Sequence, residues 1–263
     1  MKNLFTFLFA VVFLVSCSME ETASEAPDPL DNKFFTEFMP CKAGSDFNSD
    51  NMTAMISEWQ KLLNAEDLQG VWGYAPDGES NSVGDTGWWE IQWTSEKSAD
   101  QAWEQWMENE EAMAWQEKYE SVLSCDGESR NAFDSVFPIP SATYGELPDS
   151  GYFYTEVYIC ELNEGFSKVD AINFLYGFRE AVANADYSDT SYHLGNYFFH
   201  DDPSSFLWMN FANSKESMNK ASASFEAEER GDMFPLFSEF ASCGEKPDLY
   251  NGFTLYWSED KDF

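Results

Sequence analysis

The eight residues FFTEFMPC, Phe34 to Cys41, return 119 positions later as FYTEVYIC, Phe153 to Cys160. At the same spacing Phe47 falls on Phe166 and Trp59 on Phe178. From Trp93 to Cys125 the spacing is 118 without a gap, which sets Trp93 on Phe211, Lys97 on Lys215, Glu108 on Glu226 and Cys125 on Cys243. The one-residue difference then falls around the loop Asp77 to Gly87. A unit of this length is too long for a solenoid repeat and about the size of a small domain, so the chain reads as a tandem duplication.

Within each copy two periodicities alternate. Met52, Met55, Ile56, Trp59, Leu62 and Leu63 sit at helical spacing, and Phe174, Leu175, Phe178, Ala181 and Val182 repeat it. The segments 34–41, 69–76, 87–94 and 131–138 are short, aromatic and bounded by Gly, Pro, Asn or Asp, which predicts strands. A longer second helix runs from about Ser98 to Ser124. Its stripe of Ala102, Trp103, Trp106 and Met107 slips phase near Glu110, and the second copy has Gly231 and Pro235 at that place, so both copies are expected to break this helix there.

The order β-α-β-β-α-β, written twice, is the ferredoxin-like split unit of the α+β class. Its sheet has one face covered by helices and one face needing a partner, which the second copy can supply. Element order and duplication resemble the dimeric α/β-barrel superfamily, which includes the antibiotic-biosynthesis monooxygenase-like proteins, with the usual two subunits fused. The resemblance covers residues 33 to 258 and implies an intramolecular dimeric α/β barrel; no family catalytic motif accompanies it, so it implies no activity. Two ferredoxin-like domains lying side by side are the alternative architecture.

The expected organisation is a signal peptide over 1–16, a lipidated Cys17 with an acidic tether over 17–32, a first ferredoxin-like repeat over 33–140, a linker over 141–150, a second repeat over 151–258 and a tail over 259–263. The signal rests on Lys2 followed by the apolar run Leu4 to Val15, too short to span a bilayer as a helix. Leu14-Val15-Ser16-Cys17 resembles the lipobox of bacterial lipoproteins, and Ser18 in place of Asp implies the outer membrane of a Gram-negative envelope. The membrane is then a partner through the acyl anchor only. An ordinary signal with Cys17 incidental is the alternative. The stretch Ser18 to Asn32 has almost no large apolar side chain and cannot order itself.

The formal charge is −34, and removal of residues 1–16 deletes only Lys2 among the charges, giving −35. Phosphate backbones are repelled by such a surface, so no nucleic-acid partner is expected. Four cysteines remain after Cys17, and four allow three pairings. Each copy has one Cys at the end of its first strand and one at the end of its second helix. In a ferredoxin-like sheet the first and last strands are antiparallel neighbours, which selects Cys41 with Cys125 and Cys160 with Cys243. Buried free thiols are the alternative.

The chemistry is less legible. Only His193 and His200 are present, and no Gly-rich phosphate loop, HExxH or GxSxG occurs. No metal and no cofactor is expected. The loop Asp77 to Asp85 places acidic or amide groups at alternate positions, but lacks the glycine of a calcium loop. Strand parity suggests that Trp89, Ile91 and Trp93, with Leu207, Met209 and Phe211, face the helices, leaving Trp88, Glu90 and Gln92 with Phe206, Trp208 and Asn210 inside the barrel. The same logic aims Glu37 and Glu156 into an aromatic-lined lumen, where burial raises a carboxyl pKa and aromatic walls suit a cation. The candidate ligand-binding set is Glu37, Glu156, Tyr74, Trp88, Glu90, Trp208 and His193. Three functions follow: an exported, lipid-anchored monomer that binds a small aromatic or cationic molecule or a protein; a cofactor-independent monooxygenase-like or isomerase-like enzyme with His193, Glu37 or Glu156 as base; or a structural surface lipoprotein with a solid barrel.

Overall fold

The computed structural model describes residues 33–63, 67–78, 81–137, 151–184 and 192–258. Cys17, the signal and tether segments, the linker 141–150 and the tail 259–263 lie outside the described residues. The first half comprises β1 (Lys33–Ala43), α1 (Ser49–Trp59), β2 (Leu68–Pro76), β3 (Gly87–Trp93), α2 (Glu96–Glu108), α3 (Glu110–Tyr119), β4 (Leu123–Cys125) and β5 (Asn131–Val136). The second comprises β6 (Tyr152–Leu162), α4 (Lys168–Asn184), β7 (Tyr192–Phe199), β8 (Ser205–Ala212), α5 (Lys215–Ser224), a π-helical segment Phe225–Glu229, α6 (Arg230–Phe240), β9 (Ala241–Cys243) and β10 (Asp248–Trp257).

Eight strands close into one antiparallel barrel in the order β10-β2-β3-β1-β5-β7-β8-β6, with β6 returning to β10. Closure leaves this ring no free edge. The halves meet at two seams, β5 with β7 and β2 with β10, which excludes the side-by-side arrangement. The short strands β4 and β9 extend β1 and β6, and the ladders set Cys41 opposite Cys125 and Cys160 opposite Cys243. Both pairs are disulfide-bonded, as expected.

Side chains at the seams bind the halves together. On the loop after β2, Asp77 accepts from Lys215 Nζ (2.6 Å) and Tyr154 OH (2.9 Å), Asn81 exchanges two hydrogen bonds with the Leu249 backbone, and Ser82 donates twice to Asp248. The stretch weighed as a calcium loop is thus a latch onto the second half. At the other seam Asp134 receives Lys33 (2.7 Å), Lys168 (3.1 Å) and His200 (3.1 Å).

Each half keeps its own core between sheet and helices, and a third core fills the lumen. Strand parity corrects several expectations. In β3, Trp89, Ile91 and Trp93 do face the helices. In β8 the faces are reversed: Met209 and Phe211 fill the lumen, while Phe206, Trp208 and Ala212 pack under the helices. The ladders explain this. Phe35 pairs with Trp93 and Tyr154 with Ala212, so the counterpart of Trp93 is Ala212, 119 positions on, and not Phe211. The helix N-caps Ser95 and Ser214 keep the 119 spacing, whereas Cys125 and Cys243 are 118 apart. The missing residue therefore lies in the second helix and not in the loop Asp77 to Gly87. A one-residue error of register turns every side chain of a strand to its other face.

The second helix is interrupted in both halves, by different means. In the first, Asn109 stands between α2 and α3 with extended backbone, and its side chain caps α3 by accepting from Glu111 N–H and Ala112 N–H. In the second, the interruption is the π-helical segment Phe225–Glu229, upstream of both Gly231 and Pro235; Pro235 sits inside α6, which continues past it. A π turn inserts an extra residue into the helical repeat, which produces a phase slip without a proline break.

Candidate ligand-binding cleft

Tyr74, Trp88 and Glu90 face the lumen, where strand parity places Trp88 and Glu90, and the rings around them are buried. Phe38, Phe133, Phe153, Tyr197, Met209, Phe211 and Tyr250 are buried there with Tyr74. Glu90, 1% exposed, accepts from Tyr197 OH (3.0 Å) and, in a short contact, from Tyr74 OH. Burial raises its pKa to about 7 against the opposing pull of the two phenol donors. Trp88 Nε1 donates to Tyr250 OH at 3.2 Å. These groups satisfy one another, as buried polar groups must.

Glu37, Glu156 and Trp208 are not lumen residues: each lies on the helix-facing side of its strand. The ladder sets Glu37 opposite Ile91 and Glu156 opposite Asn210, and Trp208 packs on Phe178 and Phe237 beneath α4 and α6. The reason is that both faces of these strands are covered, so neither face has a polar pattern to mark it. His193 sits at the start of β7 opposite Phe211 and is partly exposed. The candidate set therefore divides into a lumen group and two helix-side groups, and does not form one site.

Glu37 anchors the helix side of the first half. It is 5% exposed and accepts from Trp93 Nε1 (3.0 Å), Trp103 Nε1 (2.7 Å) and Arg130 Nε (2.8 Å). The Arg130 guanidinium lies 4.2 Å over the Trp103 ring and also donates to the Gly127 carbonyl. Cation-π contact and three donors thus compensate one buried carboxylate.

Beside this network, between the sheet and α1–α3, opens a cleft of about 1780 Å³. Trp59, Trp89, Trp93, Trp103, Trp106 and Trp115 line it, with Met39, Met55, Met113 and Arg130. The rings are held in place: Trp59 meets Trp89 edge-on at 5.1 Å, Trp106 meets Trp115 at 5.8 Å, and Trp115 Nε1 donates to the Met55 carbonyl (3.0 Å). The cleft thus has an aromatic floor and a polar, acidic rim, and its volume exceeds the ~300–1,000 Å³ usual for small-molecule sites.

The second half packs the equivalent layer with phenylalanine. Phe174 and Phe178 stand at the places of Met55 and Trp59, and they pack with Trp208, Phe225, Phe237 and Phe240 at ring separations of 5.1 to 6.1 Å. Glu156 there has Asn210 Nδ2 at 3.5 Å, and burial raises its pKa. Sequence reasoning missed Trp103, Trp106, Trp115 and Arg130 as site residues. The first three are visible as a helical stripe, but nothing in a stripe distinguishes a filled helix-sheet layer from an open one.

No family model matches the sequence, and no curated protein matches it. In fold the chain is similar to a monooxygenase-like protein of Fusobacterium nucleatum subsp. nucleatum (TM-score 0.51, 8% identity, over 85% of this chain and 92% of that one). It is similar to the same extent to an anthrone oxidase-like protein (TM-score 0.51, 9% identity, over 85% and 92%). A chlorite dismutase variant from Candidatus Nitrospira defluvii follows (TM-score 0.49, 13% identity, over 84% and 92%). With the first two this chain shares its fold, that of the dimeric α/β-barrel proteins.

Proposed function

We propose that the protein binds a planar aromatic small molecule in the tryptophan-lined cleft between the first-half sheet and α1–α3. The observation that supports this most is the contrast within one molecule: equivalent layers are packed with phenylalanine in the second half and open in the first. Export and lipid anchoring at Cys17 belong to the same proposal; the Leu14-Val15-Ser16-Cys17 sequence and the two disulfides, which suit an oxidising compartment, support them. Incorporation of a clickable fatty acid into the wild type and not into Cys17→Ser tests the anchor.

A second reading is an enzyme acting in the same cleft, favoured by the monooxygenase-like and anthrone oxidase-like character of the two fold neighbours. Binding alone is the better supported. Neither His193 nor His200 lines the cleft, and its carboxylates lie at the exposed rim. Quenching of tryptophan fluorescence by a panel of polycyclic aromatics is the test of the shared premise. Saturable quenching that Trp103→Ala or Trp106→Ala weakens at least tenfold supports the cleft; panel-wide failure to quench removes it. Oxygen uptake with a bound compound then separates enzyme from binder.

A further inference from the structure

We infer that the cleft selects cationic over neutral and anionic aromatic ligands, and that the carboxylates of Asp100, Glu104 and Glu108 on α2 set this preference. The inference rests on the cleft reading and adds the ligand's charge.

Asp100, Glu104 and Glu108 all line the cleft, are exposed, and recur every fourth residue, which puts them on one face of α2. Asp126 and Glu128, on the turn before Arg130, line the cleft as well. Asp126 accepts from Ser129 Oγ (2.7 Å) and from the Glu128 and Ser129 N–H groups, which hold its carboxyl below the usual range and keep it ionised. The cation on the wall, Arg130, is already paired with Glu37 at 2.8 Å. A ligand entering therefore meets five exposed carboxylates and indole faces, with no uncompensated positive charge in the lining. Anions are repelled at the mouth; a cation gains from the carboxylates and from the π faces together.

The acidity of the whole chain does not account for the stripe. Like charges four residues apart weaken an isolated helix, and α2 offsets them with Lys97 alone. The second half supplies the control. Counting from the N-caps Ser95 and Ser214, the places of Asp100 and Glu104 are taken in α5 by Asn219 and Ala223, over a layer that is filled. Two of the three carboxylates are thus replaced over the phenylalanine-packed layer, while Glu226 stands beside the place of Glu108.

The test uses the full chain at pH 8 with three probes of one shape: 10-methylacridinium, acridine and acridine-9-carboxylate. Equilibrium dialysis gives the affinities, and quenching of the cleft tryptophans locates the probe. The cation is expected to bind about tenfold more tightly than neutral acridine at low salt and the carboxylate more weakly than either, with the spread shrinking at 0.5 M salt as the charges are screened (order-of-magnitude expectations). The triple variant Asp100→Asn, Glu104→Gln, Glu108→Gln should lose most of the cation's advantage while keeping its affinity for acridine. If acridine binds and quenches but the cation is no tighter, or if the triple variant keeps the full preference, the charge selection is wrong and the aromatic cleft survives. If none of the three binds, the cleft reading and this inference fall together.

Discussion

Tyr197 on β7 donates to Glu90 on β3 at 3.0 Å across the barrel lumen, joining the two halves of the chain through a carboxyl group with almost no access to water. Tyr74 donates to the same carboxyl from the other side, and no Lys or Arg packs in the lumen core among the described residues. Ionisation of Glu90 therefore places an uncompensated charge among aromatic rings. Burial raises the native pKa to about 7 from the usual 4.5 of a glutamate, so the folded state retains a proton that the unfolded chain releases. Stability is then full below about pH 4.5, falls between about pH 4.5 and 7, and loses nothing further from this group above that range, a total of about 3 kcal/mol. Denaturant midpoints across this range should fall for the wild type and much less for Glu90→Gln; an identical fall in both would assign the pH dependence elsewhere.

Arg130 and Glu37 form a pair of a different kind, buried on the carboxylate side and partly open on the other. Arg130→Ala leaves Glu37 with two indole donors and no cation, and should cost about 3 kcal/mol in chemical denaturation. Arg130→Lys should recover little, because lysine offers neither the Nε geometry nor a planar group to stack on Trp103. A cost below 1 kcal/mol for Arg130→Ala would mean that the indoles alone hold the carboxylate.

Residues 33–137 expressed alone in an oxidising compartment should self-associate. Phe38, Tyr74 and Phe133, no more than 6% exposed in the closed barrel, would then lie on a bare sheet face, and apolar patches of several hundred Å² drive association. Residues 33–263 should sediment as a monomer, since the second half already supplies the partner at high effective concentration. A monomeric, cooperatively unfolding first half would contradict a stability that depends on the shared barrel.

Each disulfide closes a loop of more than 80 residues, Cys41 to Cys125 and Cys160 to Cys243. Replacing either pair with alanine should lower stability by about 4.5 kcal/mol in the chain-entropy model. Non-reducing peptide mapping should recover the two pairs within halves. A Cys41–Cys160 peptide would contradict the ladders that set each cysteine opposite its partner.

Much of this architecture was legible in the residues. The echo of FFTEFMPC in FYTEVYIC, the helical stripe from Met52 to Leu63 and the positions of the four cysteines pointed to the element types and, with the ferredoxin-like unit they resemble, to both disulfides; the barrel itself came from that resemblance and its strand order from the structure. The chain's own letters also misled in one place. Aromatic Trp93 matched aromatic Phe211, and that match carried the 118 spacing one element too far, whereas the ladder pairs Trp93's counterpart, Ala212, with Tyr154.

What tertiary structure alone decided is which face of each strand looks inward and which layer stays open. A barrel strand covered by helices outside and by rings inside is apolar on both faces, so alternation in β1 gives Glu37 and Phe38 no mark of direction; closure of the ring turns Phe38 in and Glu37 out. The open cleft likewise depends on volumes that sum over several elements, Met55 and Trp59 in one half against Phe174 and Phe178 in the other, with helices interrupted at Asn109 and at Phe225–Glu229. Periodicity records which side of an element is buried. It does not record how much space remains when the elements meet, and that remainder forms the candidate site.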